Sequence, residues 1–160
     1  MKEPFKMSGE FLIQAVDAKS GAVLWEQTVK NQLTEINRTI RNQMLQGTYT
    51  GATDALQIKY FAFGTGTATP AVTDTQLGNE QFRKQLTAIA EPNNSAVQST
   101  CSLTSAEANF VIKEIGVFCG PSATSAANSG TLMSRVAVNI DKNSNIILNV
   151  VRSDICTIGG

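Results

Sequence analysis

Residues 58–83 read IKYFAFGTGTATPAVTDTQLGNEQFR, and this stretch decides the fold. It opens as a strand. Ile58, Tyr60 and Ala62 alternate with Lys59, Phe61 and Phe63, and such β-branched and aromatic residues suit a pleated, half-buried surface. Gly64-Thr65-Gly66 ends the strand, because glycine accepts backbone angles that β-branched residues refuse. A Thr/Ala loop follows, in which Pro70 fixes one φ. Thr75 is then the expected cap of a short helical turn carrying Leu77 and Glu80. Arg83 lies three residues past Glu80, a spacing that lets the two charges face each other on a helix. The whole reads as a scaffold corner: a strand, a tight turn, a surface loop and an anchored return to a sheet.

Upstream, Phe11–Val16 reads as a strand and Asp17-Ala-Lys-Ser-Gly21 as a turn. Ala22–Lys30 returns, so residues 10–30 form a hairpin in which Val23, Trp25 and Val29 share one face. The span from Asn31 to Gln46 is the one helix, placed at about 32–46. Ile36, Ile40 and Met44 recur every four residues, and Leu33 and Leu45 widen the stripe. Asn31 or Thr34 is its expected N-cap and Gly47 its stop. Residues 48–55 are a polar loop.

Downstream, Arg83–Ala90 reads as a strand, Glu91-Pro92-Asn93-Asn94-Ser95 as a turn and Ala96–Leu103 as the returning strand. Residues 107–119, EANFVIKEIGVFC, form a long strand whose alternation breaks at Glu114-Ile115-Gly116. A change of parity beside a glycine predicts a β-bulge, with Glu114 aimed at Arg83 or Arg135 as a structural ion pair. Residues 120–130, GPSATSAANSG, predict a mobile surface loop that is ordered only where a neighbour holds it. Thr131–Ile140 and Ile146–Ile158, joined by the turn 141–145, read as a C-terminal hairpin. The expected architecture is mainly β: an antiparallel β-sandwich or barrel-like single domain over residues 1–160, of roughly eight strands with one amphipathic helix. A flexible N-terminal segment covers residues 1–9.

Composition narrows function. The 160 residues carry 13 basic and 13 acidic side chains, so the formal net charge is zero. A nucleic-acid binder shows a basic excess or stripe, and neither is visible. No run approaches the ~20 apolar residues of a membrane span, and the first eleven residues contain no apolar signal core. Synthesis in a bacterial host cytoplasm is the corresponding expectation. The three cysteines, Cys101, Cys119 and Cys156, are an odd number without Cys-x-x-Cys spacing. Buried reduced thiols are the plain reading, and one intermolecular disulfide is the alternative.

The chain has no histidine, which removes Ser-His-Asp and Cys-His catalysis within it. GTGTATP lacks the Gly-Lys-Ser/Thr ending of a phosphate loop. Residues 141–145 lack the glycine and the closing glutamate of a calcium loop. Glu80 and Glu114 are the one carboxylate pair that a glycosidase could use, but both make better sense as scaffold ion-pair partners. The sequence therefore points away from an enzyme and calls for no cofactor, metal or small-molecule substrate.

Phe63-Gly64-Thr65-Gly66-Thr67, Pro70, Asp74-Thr75, Leu77, Glu80 and Arg83, followed by Glu114-Ile115-Gly116-Val117-Phe118, form an ordered pattern that resembles a family of bacteriophage tail-fibre and tail-associated virion proteins. The resemblance spans residues 21–151. It implies a structural virion protein that assembles as a homo-oligomer and attaches other components of a tail, baseplate or neck (collar), with no catalytic residue to transfer. A capsid decoration or head-fibre base protein is the alternative docking position, and a carbohydrate-binding β-sandwich module is an alternative of another class. The structural motif residues are Gly64, Gly66, Glu80, Arg83, Glu114 and Gly116. The expected partner contacts are in exposed loops, at Thr67, Pro70, Asp74, Pro121 and Asn128.

Overall fold

The computed structural model describes residues 6–93 and 95–157, and the side chains of residues 8–93 and 95–155. The first hairpin forms as its alternation requires, from β1 (Lys6–Asp17) and β2 (Val23–Lys30). Phe11, Ile13 and Ala15 are fully buried. At the turn, the Asp17 carboxylate accepts the backbone N–H groups of Lys19 and Ser20. Gly21 takes a φ of +72°, a conformation that side chains with a Cβ resist. One expectation fails here. Ala15 pairs with Trp25 but Val16 pairs with Val23, so Leu24 is an extra residue in the ladder. The bulge reverses parity. Trp25 and Val29 pack on the core, whereas Val23 and Leu24 are each 53% exposed.

The chain then passes through a two-residue strand, β3 (Gln32–Leu33), into α1 (Glu35–Gln46). Further on come β4 (Ile58–Gly64), β5 (Glu80–Gln85), β6 (Ala88–Asn93), β7 (Ala96–Leu103), β8 (Val111–Cys119), β9 (Thr131–Asp141) and β10 (Ile146–Thr157). Two five-stranded antiparallel sheets result, ordered β2-β1-β10-β7-β6 and β3-β9-β8-β4-β5. This is a β-sandwich of two separate sheets, not a closed barrel.

The core lies between the sheets. Phe11, Ile13, Cys101, Leu103, Leu148 and Val150 come from the first sheet. They meet Phe61, Phe63, Ile112, Ile115, Val117, Met133 and Val136 from the second. Phe11 and Phe61 join the layers directly, edge to face, with ring centroids 6.4 Å apart. That arrangement matches the quadrupoles of the two rings. Cys101 and Cys119 are buried and free, as the composition suggests. The side chain of Cys156 lies outside the described residues.

Several boundaries differ from the sequence reading. The helix starts at Glu35, because Gln32 and Leu33 pair with Arg135 and Ser134 of β9. Thr34 occupies the N-cap position, but its hydroxyl donates to the Leu132 carbonyl at 2.6 Å and ties the helix start to β9. Gly47 ends the helix with φ +68°, as expected. The apolar stripe does not form the buried face: Ile40 is buried beside Asn37, while Ile36 and Leu45 are exposed. The short contact with β9 covers too little of the helix to bury the remainder.

The strand expected over 83–90 is two strands in different sheets, β5 and β6, with the crossing at residues 86–87. The expected C-terminal hairpin does not exist. β9 pairs with β8 in one sheet, and β10 pairs with β1 and β7 in the other. Residues 141–145 carry the chain between layers, and there Lys142 is buried, donating to Asn109 Oδ1 at 3.0 Å. The expected flexible segment 1–9 is too long, since Lys6–Gly9 pair with Asp154–Thr157. Residues 1–5 lie outside the described residues.

Candidate functional site

The outer face of the second sheet brings the motif together. Register places Arg83, Ala62, Gly116 and Arg135 in one row across four strands, β5, β4, β8 and β9. The adjacent row contains Glu80, Gly64 and Glu114. Each arginine reaches a glutamate of the neighbouring row, Arg135 diagonally across two strands and Arg83 along β5, and the two resulting clips hold down two loops.

Glu114 and Arg135 make the first clip. The ladder is irregular beside Glu114, but the extra residue is on β9 rather than at Glu114-Ile115-Gly116: Ile112 pairs with Ile140 and Glu114 with Ala137, so two residues of β9 stand against one of β8. The break in parity itself is real, since Ile112 and Ile115 both lie in the core while Glu114 joins the ion pair on the other face. The Glu114 carboxylate is fully buried and accepts four hydrogen bonds. Oε1 receives the N–H groups of Gly66 at 2.9 Å and Asn79 at 2.8 Å. Oε2 receives the Gly78 N–H and Arg135 Nε, each at 2.9 Å. Arg135 also donates through Nη1 to Asp74 Oδ2 at 2.8 Å and through Nη2 to the Ala68 carbonyl at 2.9 Å. A planar guanidinium with a fixed fork of donors suits this threefold role. Both ends of the loop 65–79 are thus fastened to one ion pair. Of the two partners expected for Glu114, Arg135 is the one it takes.

Gly64 and Gly66 matter here for a reason other than the one read from the sequence. Neither has a positive φ. A Cβ on Gly64 would come within 2.5 Å of both Glu114 Oε1 and the Asn79 carbonyl, and one on Gly66 would strike the same carboxylate oxygen. They are glycines because the Glu114 carboxylate fills the space. Gly116 is similar: Leu77 lies over it, and a Cβ would stand 2.7 Å from Leu77 Cδ2. Leu77 joins Ala62, Phe118, Ala123 and Leu132 in a second apolar cluster.

Glu80 and Arg83 make the other clip, but not on a helical turn. Both lie on β5, where residues three apart ordinarily face opposite ways. Phe63 pairs with Phe82 and Gly64 with Glu80, so Gln81 is extra and brings the two charges to one face. Arg83 Nε and Nη2 donate to Glu80 Oε1 and Oε2 at 2.7 and 2.9 Å. The guanidinium sits 4.1 Å above the Phe118 ring centroid, a favourable cation–π stack. Its Nη1 donates to the carbonyls of Thr124 and Ser129 at 3.2 and 2.7 Å. Glu80 Oε2 accepts the Asn128 N–H at 3.0 Å. The neighbour that holds the loop 120–130 is therefore Arg83 of the same chain.

The expected contact residues divide into two kinds. Thr67 and Pro121 are exposed, and Pro70 is half-buried. Asn128 is exposed, with its backbone N–H held by Glu80 and φ +57°. Asp74 is half-buried and occupied within the chain by Arg135 and the Ala71 N–H. Chemically the site is a pair of saturated ion pairs. Every oxygen of Glu80 and Glu114 accepts a hydrogen bond from within the fold. Neither residue lines the cleft of about 380 Å³ on another part of the molecule.

The sequence reading missed a third charged group. Arg152 of β10 is fully buried, donating from Nη2 to Asp154 Oδ1 at 2.6 Å. Burial pulls its pKa down from the ordinary value, opposed by the Asp154 charge. Arg41 of α1 approaches the same carboxylate at 3.8 Å. Arg152 continues the inward parity of Leu148 and Val150, and that parity was the available signal. Compared with family models, curated proteins and solved structures, the chain has no match in any of the three.

Proposed function

We propose that this chain is a non-catalytic structural subunit of a bacteriophage virion. In this reading it is a tail-fibre-base, tail, baseplate or neck adaptor that assembles as an oligomer and attaches other virion components. The observation that carries the proposal is the convergence of the motif. Gly64, Gly66, Glu80, Arg83, Glu114 and Gly116, spread over 53 positions, meet on one sheet face and serve a single purpose. They fasten the two small-residue loops, 65–79 and 120–130, to the sheet. Loops held in place before binding lose less conformational freedom on contact with a partner. The exposed Thr67, Pro121 and Asn128 stand on loops fastened in this way. The same use of the two glutamates favours a scaffold role over catalysis, because their oxygens are committed to the fold.

An antibody against the purified domain tests the proposal. It should decorate gradient-purified phage particles at one symmetric position in electron micrographs. Particles that carry none of the chain would overturn the virion assignment.

A further inference from the structure

We infer that Lys142 and Asn109 join in an intramolecular isopeptide bond, an amide between their side chains that staples the start of β8 to the end of β9. The bond concerns the folded chain alone and does not depend on what the chain assembles with.

The lysine is placed as a nucleophile. Lys142 lies where the chain leaves β9 to cross between the sheets, and it is only 1% exposed. A buried ammonium is costly unless a carboxylate faces it. None of the ion pairs among the described residues includes Lys142. Its Nζ meets two neutral acceptors instead, Asn109 Oδ1 at 3.0 Å and the Asn143 carbonyl at 3.1 Å. Burial accordingly pulls its pKa below the usual lysine value. The one charge that opposes this shift is Glu107, which is itself held by Lys84 at 2.6 Å. A desolvated lysine amine that has shed its proton is a nucleophile.

The carboxamide is fixed in front of that amine. Asn109 Nδ2 donates to the Ser105 carbonyl at 3.0 Å, so both ends of the amide group are held. The main chain locks the approach as well, because the Lys142 N–H donates to the Phe110 carbonyl at 3.3 Å. Ala108, just before Asn109, takes a φ of +51°, which a residue with a Cβ seldom adopts. Strain of this kind persists where the surrounding structure imposes it, and it clusters at functional sites. Two reactants held in contact react as one molecule and not as two.

The step balances without a further reagent. The neutral Lys142 Nζ attacks Asn109 Cγ and forms the new C–N bond. One proton passes from Nζ to Nδ2, and the Cγ–Nδ2 bond breaks to release ammonia. Asn109 is exposed although Lys142 is buried, so the ammonia escapes to solvent and the step is not reversed. Lys113 and Asn139 supply an internal control. They form the same kind of hydrogen bond on the same two strands, but at the surface, where an amine keeps its water and its proton. They should stay unlinked.

Mass spectrometry of the full chain tests the inference. The purified protein should be lighter than its sequence by one ammonia. Asn109→Ala, at an exposed position, should have the full mass of its own sequence, and so should Lys142→Arg. In the wild type, trypsin should cut after Lys113 but not after Lys142, and should leave one branched peptide of residues 85–113 and 136–152. That map needs no variant, so a misfolded mutant does not affect it. A wild type of full sequence mass overturns the inference. So does an ammonia loss confined to a linear peptide, with trypsin cutting freely after Lys142.

Discussion

Arg135 and Glu114 are linked at 2.9 Å although they are not cross-strand partners: Arg135 stands opposite Gly116, and Glu114 opposite Ala137. The bond is diagonal, and the guanidinium is thereby free to reach Asp74 and Ala68 in the overlying loop. Arg135→Lys keeps the charge and loses the fork. It should detach Asp74 and Ala68 while Glu114 retains its three backbone donors. The expected result is a loss of about 1–3 kcal/mol, the scale of hydrogen bonds to charged groups. Amide exchange should accelerate first at Ala71, whose N–H is held by Asp74, and before it does at Gly66, Gly78 and Asn79, which stay bonded to Glu114.

Glycine substitutions separate crowding from backbone strain. Gly66→Ala drives a methyl group into the Glu114 carboxylate and should cost about 1–3 kcal/mol, as overpacking does. Gly21→Ala meets no atom within 4 Å, but its φ is +72°, so its cost should be about 1 kcal/mol, from backbone strain alone. Chemical denaturation of both variants checks this. If Glu114→Asp in the Gly66→Ala background recovers none of the loss, crowding is not its cause.

How much of this was legible follows from how local each signal was. The Asp17–Gly21 turn and the Gly47 stop depend on neighbouring residues, and both are where the sequence puts them. The break in parity at Glu114 was visible because a charge and a glycine interrupt an apolar run. The helix start was hidden, because Gln32 and Leu33 pair with residues about a hundred positions away. The sheet crossing at residues 86–87 was hidden because Leu86 and Ile89 continue an ordinary apolar pattern. The clip at Glu80 and Arg83 was found for a wrong reason: helical spacing suggested the pair, but a bulge at Gln81 makes it. Glycines 64 and 66 read as turn formers, and nothing in their immediate surroundings names a carboxylate 48 residues from Gly66.

Arg83→Ala should release the loop 120–130. Three donor contacts to Thr124 and Ser129 vanish together, and Glu80 is left buried without its cation. Removing one partner of a buried pair costs about 3–5 kcal/mol. Limited proteolysis should cut the variant between residues 121 and 130 at protease levels that spare the parent. Glu80→Ala with Arg83→Ala should be less damaging than the sum of the single changes. Strict additivity would show that the pair is not coupled.

Burial pushes the Cys101 thiol up to about 12 and the Cys119 thiol up to about 11. Both folded values exceed the ordinary value, so the unfolded chain loses these protons first. The stabilising contribution is complete below pH ~9 and is lost as pH rises through about 11–12. Urea midpoints measured from pH 8 upward should therefore fall once pH passes about 9, and Cys101→Ala with Cys119→Ala should flatten that fall. At pH 8 a thiol reagent should label Cys101 and Cys119 only in denaturant.

The most direct measurement is urea unfolding of Glu114→Ala. If the motif is a buried clamp that fastens loops to the sheet, the variant leaves Arg135 without its main anion and three backbone N–H groups without an acceptor. The expected loss is about 3–5 kcal/mol with unfolding still cooperative. A variant within about 0.5 kcal/mol of the parent, the range of ordinary surface changes, would contradict the clamp and the scaffold role built on it.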